Sequence, residues 1–492
     1  MVLTAGNLLL VPLYLTYWSP VVYGEWLVLF ALASYLSTLD LGMNMAVFNR
    51  LTQIHACGDR EEYARCQHSA MAFYVSVALG GSVLLALASL VWPFSDWLGI
   101  RATPAPEAAW VIWLLGLHIL WAMPASLVSA VYRTTGDMAR SQWVGNVQQV
   151  IAMVLIALVL VSGGGMKSVA IWQLATLILV TLYVLWDVRT RFPQLVPGLA
   201  KASFPVLKGL ILPSLLFFLL PLSNAITIQG SVLILSSVMG GIAVAVYVTS
   251  RTLTNLIRQI VGAAINSLWP EITGMEARGE FERLRRLHRV LMGASTALCI
   301  GIAAAFWYEG AEVITVWTRG KLEPDLVLLR LLLVLLVLQS TWLVSLVFTA
   351  AANRHEKLSW SYLIAAVVGV GTAALLMKWM GTWAVPVGLI VGEAVACYHF
   401  VIKDTCRMIG EPYGPFALRL WCGLLTVATA ALVGGWVAHQ VIPGPYPIRW
   451  LGVGAFTSIA SMAVAWRFWL LPEDRAQLVS RLRSSGALLA RI

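Results

Sequence analysis

Charge is what this chain has least of. Only 11% of its 492 residues are Asp, Glu, Lys or Arg, where a soluble domain averages about 25%. Long polar stretches are missing too: no loop on the map below exceeds roughly 20 residues, which leaves no room for a soluble catalytic domain on either side. The six cysteines form no CxxC pair and none falls in an external loop, so they read as reduced, unpaired thiols. No HExxH and no Walker-type loop occurs, and Gly369-Val370-Gly371 sits inside an apolar run, as helix-packing glycine does. These absences predict no metal site and no cofactor, and they argue against transport driven by ATP on this chain. A cleavable signal is not expected either, because the first apolar run starts almost at Met1 without a cationic leader.

What is abundant is apolar sequence. Hydrophobic residues make up 60% of the chain and mean hydropathy is +0.82. Apolar runs of about 20 residues recur along the whole length, which predicts an all-α polytopic membrane protein. The runs give about fourteen transmembrane helices, near 1–19, 24–47, 69–93, 109–131, 142–161, 168–187, 209–237, 242–268, 290–308, 327–351, 359–377, 383–402, 417–438 and 450–471. Turn or charge clusters separate them: "WSP" at 18–20, "GDREEYAR" at 58–65, "SGGGMK" at 162–167 and "PGPYP" at 443–447. Pro12 in the first helix, with Pro213 and Pro221 in the seventh, predicts bends.

The basic residues orient this map. With both termini cytoplasmic, 23 of the 33 Lys and Arg fall in cytoplasmic loops and the tail, 6 in external loops and 4 within helices. That is the bias the positive-inside rule requires. The net charge of +10 is therefore a cytoplasmic rim and needs no nucleic-acid partner. Tryptophans near helix ends, such as Trp18, Trp97, Trp379 and Trp450, fit interfacial belts.

An internal repeat relates Arg50–Met71 to Glu271–Met292 at a constant offset. Thr52 matches Thr273, Gly58 matches Gly279, Glu61 matches Glu282, Arg65 matches Arg286 and Met71 matches Met292; Asp59 and Glu280 are both acidic. Six helices separate the two copies, so they share one orientation. The reading is two six-helix lobes in a parallel pseudo-two-fold repeat plus two C-terminal helices: residues 1–200, 201–416 and 417–492. Parallel repeats of this kind build transporters with the binding site between the halves.

Within the eighth helix stand two permanent cations, Arg251 and Arg258. Seven residues place them about 10 Å apart and nearly eclipsed on one face. Asn255 lies between them, Gly262 continues the stripe, and Val248, Leu253, Leu256, Ile257, Ile260 and Val261 make the rest largely apolar. Exposing each arginine to lipid would cost about 2.5–3.5 kcal/mol, so both are expected to face protein or a wet cavity. Two readings stand at this point. The arginines pair with buried acids such as Asp40 or Glu393, or they hold a diphosphate or acidic sugar, for which a planar guanidinium fork is suited.

In the second helix Ser37, Asp40 and Asn44 are expected to share a face, with Asn49 and Arg50 closing the cytoplasmic end. Asp40 reads as a cation or proton site or as an arginine partner, and Arg50 as a rim anchor or a contact for an entering headgroup. Glu393 is a lone acid in the twelfth helix, read as an ion-coupling or packing charge. Arg330 and Arg419 lie near helix ends and read as snorkelling anchors. Asn353 and Arg354 start a cytoplasmic loop and read as structural.

The stretch "YGEWLVLFALASYLSTLDLGMNMAVFNRL" from Tyr23 to Leu51 resembles the opening signature of bacterial polysaccharide flippases of the Wzx type. There a Tyr-Gly-x-Trp enters the second helix and an Asp-Leu-Gly sits further down it, as Asp40-Leu41-Gly42 does here. "VAVYVTSRTLTNLI" and "SLWPEITGMEARGEFERL" are similar to the second-lobe counterpart in the same superfamily, which also holds multidrug extruders and lipid II flippases. The resemblance implies a bacterial inner-membrane protein that moves a polyprenyl-diphosphate-linked oligosaccharide from the cytoplasmic to the periplasmic leaflet. It implies alternating access around a V-shaped cavity, coupling to H+ or Na+, membrane lipids and a polysaccharide polymerase as partners, and no enzymatic step. On it, Arg251, Asn255, Arg258, Asn44 and Arg50 are the expected substrate-binding residues, and Asp40 and Glu393 the expected ion-coupling ones. The competing readings are a cation-driven multidrug extruder, an integral-membrane glycosyltransferase or ligase, and a non-transporting scaffold.

Overall fold

The structure is a computed structural model that describes residues 2–92, 94–352, 355–443, 445–473 and 475. Asn353 and Arg354, and the tail arginines Arg481, Arg483 and Arg491, lie outside the described residues. The described chain is helical and divides by its contacts into two compact units. The first comprises Met1–Val248, Thr318–Leu322 and Ala373–Val385; the second comprises Thr249–Trp317, Glu323–Thr372 and Pro386–Ile492.

Helices run in the order α1 (Val2–Tyr17), α2 (Pro20–Ser34), α3 (Met43–Cys57), α4 (Arg60–Val91), α5 (Phe94–Trp97), α6 (Ala105–Thr134), α7 (Met138–Val161), α8 (Met166–Arg191), α9 (Phe204–Ala225) and α10 (Ser231–Met239). Then follow α11 (Gly241–Asn266), α12 (Trp269–Ala277), α13 (Phe281–Trp317), α14 (Leu326–Ala351), α15 (His355–Met380), α16 (Ala384–Ala396), α17 (Phe400–Ile409), α18 (Tyr413–Val441) and α19 (Tyr446–Phe468). The fourteen predicted spans all fall on these helices, and three of them, the second, seventh and twelfth, fall across two helices each. Among the described residues 11 segments are long and apolar enough to cross a membrane, one of them, Lys357–Ile409, covering two predicted spans. The ninth span runs further than predicted: α13 stays helical to Trp317, so much of the expected external loop over 309–326 is helix.

Three predicted helices are broken, the twelfth by a turn over 397–399 between α16 and α17. The second stops as a 3-10 turn over Tyr35–Asp40, passes through Leu41 and Gly42, both left-handed at φ 50° and 74°, and restarts as α3. Glycine enters that region at little cost, whereas leucine does so under strain. The seventh is α9 and α10 joined by a π-helical turn over Ile226–Gly230, five residues after Pro221. A proline leaves a carbonyl one turn back without its donor, and a π turn is one way to take up the mismatch.

The two repeat copies share local geometry. Gly58 ends α3 at φ 76° before Asp59, and Gly279 follows α12 at φ 68° before Glu280. Asp59 caps α4 by accepting from the backbone N–H groups of Glu61 and Glu62. Glu280 instead takes Arg278 and Arg283, which hold its carboxyl below the usual carboxylate range. Within the first unit α9 packs on α3 and α4, and α10 on α2. Helices α18 and α19 pack along α13 within the second unit.

Small residues let these helices close. The reading of Gly369 as a packing glycine holds: a Cβ on Gly392 of α16 would collide with the Ala365 carbonyl oxygen and lie 2.7 Å from the Gly369 nitrogen of α15. Gly24 of α2 meets the Gly241 carbonyl in the same way within the first unit. Without a hydrophobic force between apolar helices in lipid, such close backbone approach supplies the packing attraction. Gly392→Val is expected to destabilise the protein by about 1–3 kcal/mol through overpacking. Gly371→Ala, where a Cβ meets nothing within 4 Å, is expected to be neutral or slightly stabilising. Thermal unfolding of the purified variants in detergent checks both, and equal melting temperatures would reject the packing role.

Candidate functional site

Helix α11 presents the arginine stripe as the wheel predicts. Leu253, Ile257, Val261 and Ile265, four residues apart, are all buried, at 4%, 2%, 2% and 2% exposure. Arg251, Asn255, Arg258 and Gly262 are half-buried beside that seam. Of the other positions expected to be apolar and covered, Val248 and Leu256 are half-buried and Ile260 is 51% exposed. The helix thus buries one seam and leaves its cationic stripe partly open.

Glu393 lies in the same unit, on α16, and is 9% exposed. Its carboxylate accepts from Gln339 Nε2 and, at 3.1 Å, from Trp342 Nε1. Arg258 lies within electrostatic range of it. The structure therefore brings Arg258 towards Glu393, one of the acids the sequence offered as a partner, without a direct ion pair between them among the described residues.

In the first unit, Asp40 and Asn44 come together although the helix they were expected to share is interrupted. Asp40 ends the 3-10 turn, and its carboxylate reaches into the first turn of the restarted α3, accepting from the Asn44 backbone N–H at 3.2 and 3.4 Å. Tyr74 Oη donates to Asp40 Oδ1 at 2.7 Å, and Asn44 Nδ2 donates to Ser126 Oγ at 2.7 Å. Ser37 does not join them: its hydroxyl bonds back to the Ser34 carbonyl. Arg50 does not close the helix, which continues to Cys57. Its guanidinium pairs with Glu62 of α4 and borders a cavity of about 620 Å³ lined also by Asn49, Gln53, Arg65 and Cys66.

Three buried acids escaped the sequence reading. Glu25, the "x" of Tyr-Gly-x-Trp, is 1% exposed. It accepts from the backbone N–H groups of Arg101, Ala102 and Thr103 at 2.7 to 2.8 Å, and from the Thr103 hydroxyl at 2.6 Å. Asp187 near the end of α8 takes Tyr132 Oη, Arg140 through two nitrogens, and Arg191. Glu309 on α13 takes Arg449 through Nε and Nη2, and His439 Nδ1 at 2.7 Å. Only Asp187 left a trace in the sequence, through Arg191 one turn away; the partners of Glu25 and Glu309 all lie more than 70 residues off. The anchor reading of Arg330 gains a partner, since its guanidinium sits 5.0 Å from the Trp307 ring centroid. All six cysteines are free, as expected.

The sequence matches no known family profile. No characterised protein matches it in sequence. Solved structures do match in fold. An inward-facing multidrug resistance MATE family transporter of the MOP superfamily superposes with a TM-score of 0.65 at 16% identity, over 82% of this chain and 95% of that one. Lipid II flippase MurJ, in an inward closed conformation, gives 0.71 at 10% identity, over 94% and 97%. An outward-facing MATE transporter gives 0.53 at 15% identity, over 81% and 99%. At such identities the likeness establishes the fold, an all-helical polytopic membrane architecture also used by multidrug transporters and by a lipid flippase.

Proposed function

We propose that this chain is a flippase that carries a polyprenyl-diphosphate-linked oligosaccharide across a bacterial inner membrane by alternating access. The observation that carries the reading is the half-buried line of Arg251, Asn255 and Arg258 beside a buried apolar seam. Guanidinium groups bind phosphate oxygens through paired hydrogen bonds, never deprotonate, and repel cationic cargo. The fold likeness to a lipid II flippase supports the same class of cargo. Within the first unit, Asn44 and Arg50 are the proposed substrate-binding residues. The multidrug reading keeps one specific support, the fold likeness to MATE transporters, but a cationic stripe is the wrong polarity for cationic drugs. A glycosyltransferase or ligase would need an external loop with paired carboxylates, and the 309–326 segment is helix to Trp317.

For coupling, Asp40 is the stronger candidate. It stands at a break in a spanning helix, where unwound backbone offers carbonyl ligands beside a carboxylate, the arrangement that serves cations in other transporters. Glu393 is the second.

Two measurements test this. Arg251→Gln and Arg258→Gln are each expected to cut export about tenfold or more, from loss of a charged hydrogen bond of about 1.5–3 kcal/mol. The readout is glycolipid accumulating on the cytoplasmic face. The double variant Arg258→Gln with Glu393→Gln separates the two readings of Arg258. Restored export means that Arg258 serves only to balance Glu393; continued loss means that it meets cargo. Asp40→Asn is expected to fold normally, because the amide oxygen can still accept from Tyr74 Oη and the Asn44 N–H. Transport in proteoliposomes should then lose its response to an imposed H+ or Na+ gradient. An unchanged response would remove Asp40 from coupling.

A further inference from the structure

The second unit has a cavity of about 400 Å³ where the start of α15, α17 and the end of α14 meet. Its polar lining holds Lys357, Lys403 and Arg407 against one carboxylate, Asp404. Lys357 Nζ bonds to Asp404 Oδ1 at 3.3 Å and so ties α15 to α17. Lys403 lies 6.0 Å from the Tyr413 ring centroid. The cavity lining therefore carries more positive than negative charge.

Helix α17 is built for a boundary. Val401, Ile402, Thr405, Cys406, Met408 and Ile409 are buried, while Phe400, Lys403 and Arg407 share the exposed side. Phe400 is 62% exposed, and Trp360 across the cavity is 52% exposed. Large aromatic rings beside snorkelling cations mark the depth where hydrocarbon gives way to headgroups. The positive-inside bias assigns this end of the helices to the cytoplasm, where the leaflet carries anionic lipid.

From this we infer that the cavity between α15 and α17 is a binding site for an anionic phospholipid of the cytoplasmic leaflet. Lys403 and Arg407 hold the phosphate, the Ser361 hydroxyl is within the same lining, and Phe400 and Trp360 pack on the acyl chains. A free phosphate would satisfy the cations but leave both rings uncovered, which is why a lipid is the better occupant. The inference depends on the orientation of the chain and not on its cargo, so it stands or falls apart from the flippase reading.

The full chain, purified into nanodiscs of phosphatidylcholine with graded phosphatidylglycerol, tests it by native mass spectrometry of retained lipid. Phosphatidylglycerol should be retained over phosphatidylcholine. Lys403→Gln and Arg407→Gln should each weaken that retention about fivefold, the factor for roughly 1 kcal/mol per basic residue at an anionic surface. Lys403→Arg should keep it. Melting in phosphatidylcholine alone confirms that the variants fold. Equal retention of the two lipids, or a Lys403→Arg loss as large as that of Lys403→Gln, overturns the proposal. So does protection by inorganic phosphate equal to that by phosphatidylglycerol, which would mark a free-anion site.

Discussion

A charge left against hydrocarbon costs several kcal/mol, and that cost governs where this chain keeps its ionisable groups. The buried acids each gather donors. Glu25 takes three backbone N–H groups and a hydroxyl, Asp187 a tyrosine and two arginines, Glu309 an arginine and a histidine, and Glu393 an amide and an indole. Such networks are stable only when complete, because removing one partner leaves an uncompensated charge in a medium of low dielectric. All four join segments distant in sequence, and so they fix helices that apolar packing alone leaves free to slide. The arginine stripe of α11 is the contrast. It is half-buried and runs beside a buried apolar seam.

Packing and breaks divide the remaining work. Glycine contacts such as Gly392 on Gly369 and Gly24 on Gly241 let helices touch backbone to backbone and make rigid pairs. The breaks at 35–42 and 226–230 do the reverse. At Asp40 the chain gives up regular hydrogen bonding inside a membrane span, and accepts a left-handed leucine at a cost of about 1–3 kcal/mol. Unwound backbone at membrane depth survives where it is buried in protein or lines a wet cavity. Here Asp40 itself repairs part of the loss by reaching into the first turn of α3, with Tyr74 and the Asn44 N–H as its partners.

Apolar periodicity made the helices legible: each of the fourteen expected spans lies on helix, and Leu253, Ile257 and Val261 of the apolar positions expected on the arginine helix are buried. The breaks were not legible in the same way. Asp40-Leu41-Gly42 sits inside a continuous apolar run, and hydropathy cannot see a change of backbone sign. The acid networks were hidden for another reason. Glu25 and Glu309 are satisfied by groups 76 to 140 residues away, and no local spacing encodes a tertiary partner. Arg449 looked like one external cation among several, yet it is the counter-charge of a buried glutamate. Helix ends were misjudged where polar residues continue a helix beyond the lipid, as in α13 after Tyr308 and in α3 after Arg50.

The electrostatics of α11 also discriminate between cargoes. Two guanidinium groups about 10 Å apart repel by about 1.5 kcal/mol at an effective dielectric constant near 20. Glu393 offsets part of that field from the Arg258 side, and its carboxylate is already engaged by Gln339 and Trp342. On the proposed flippase reading, a singly charged cation gains nothing from two guanidinium groups, whereas a diphosphate brings at least two negative charges on a scale that can reach both arginines in turn. An anion with that charge would screen the repulsion between the two arginines, and that relief would add to the binding energy for cargo with phosphate at its head.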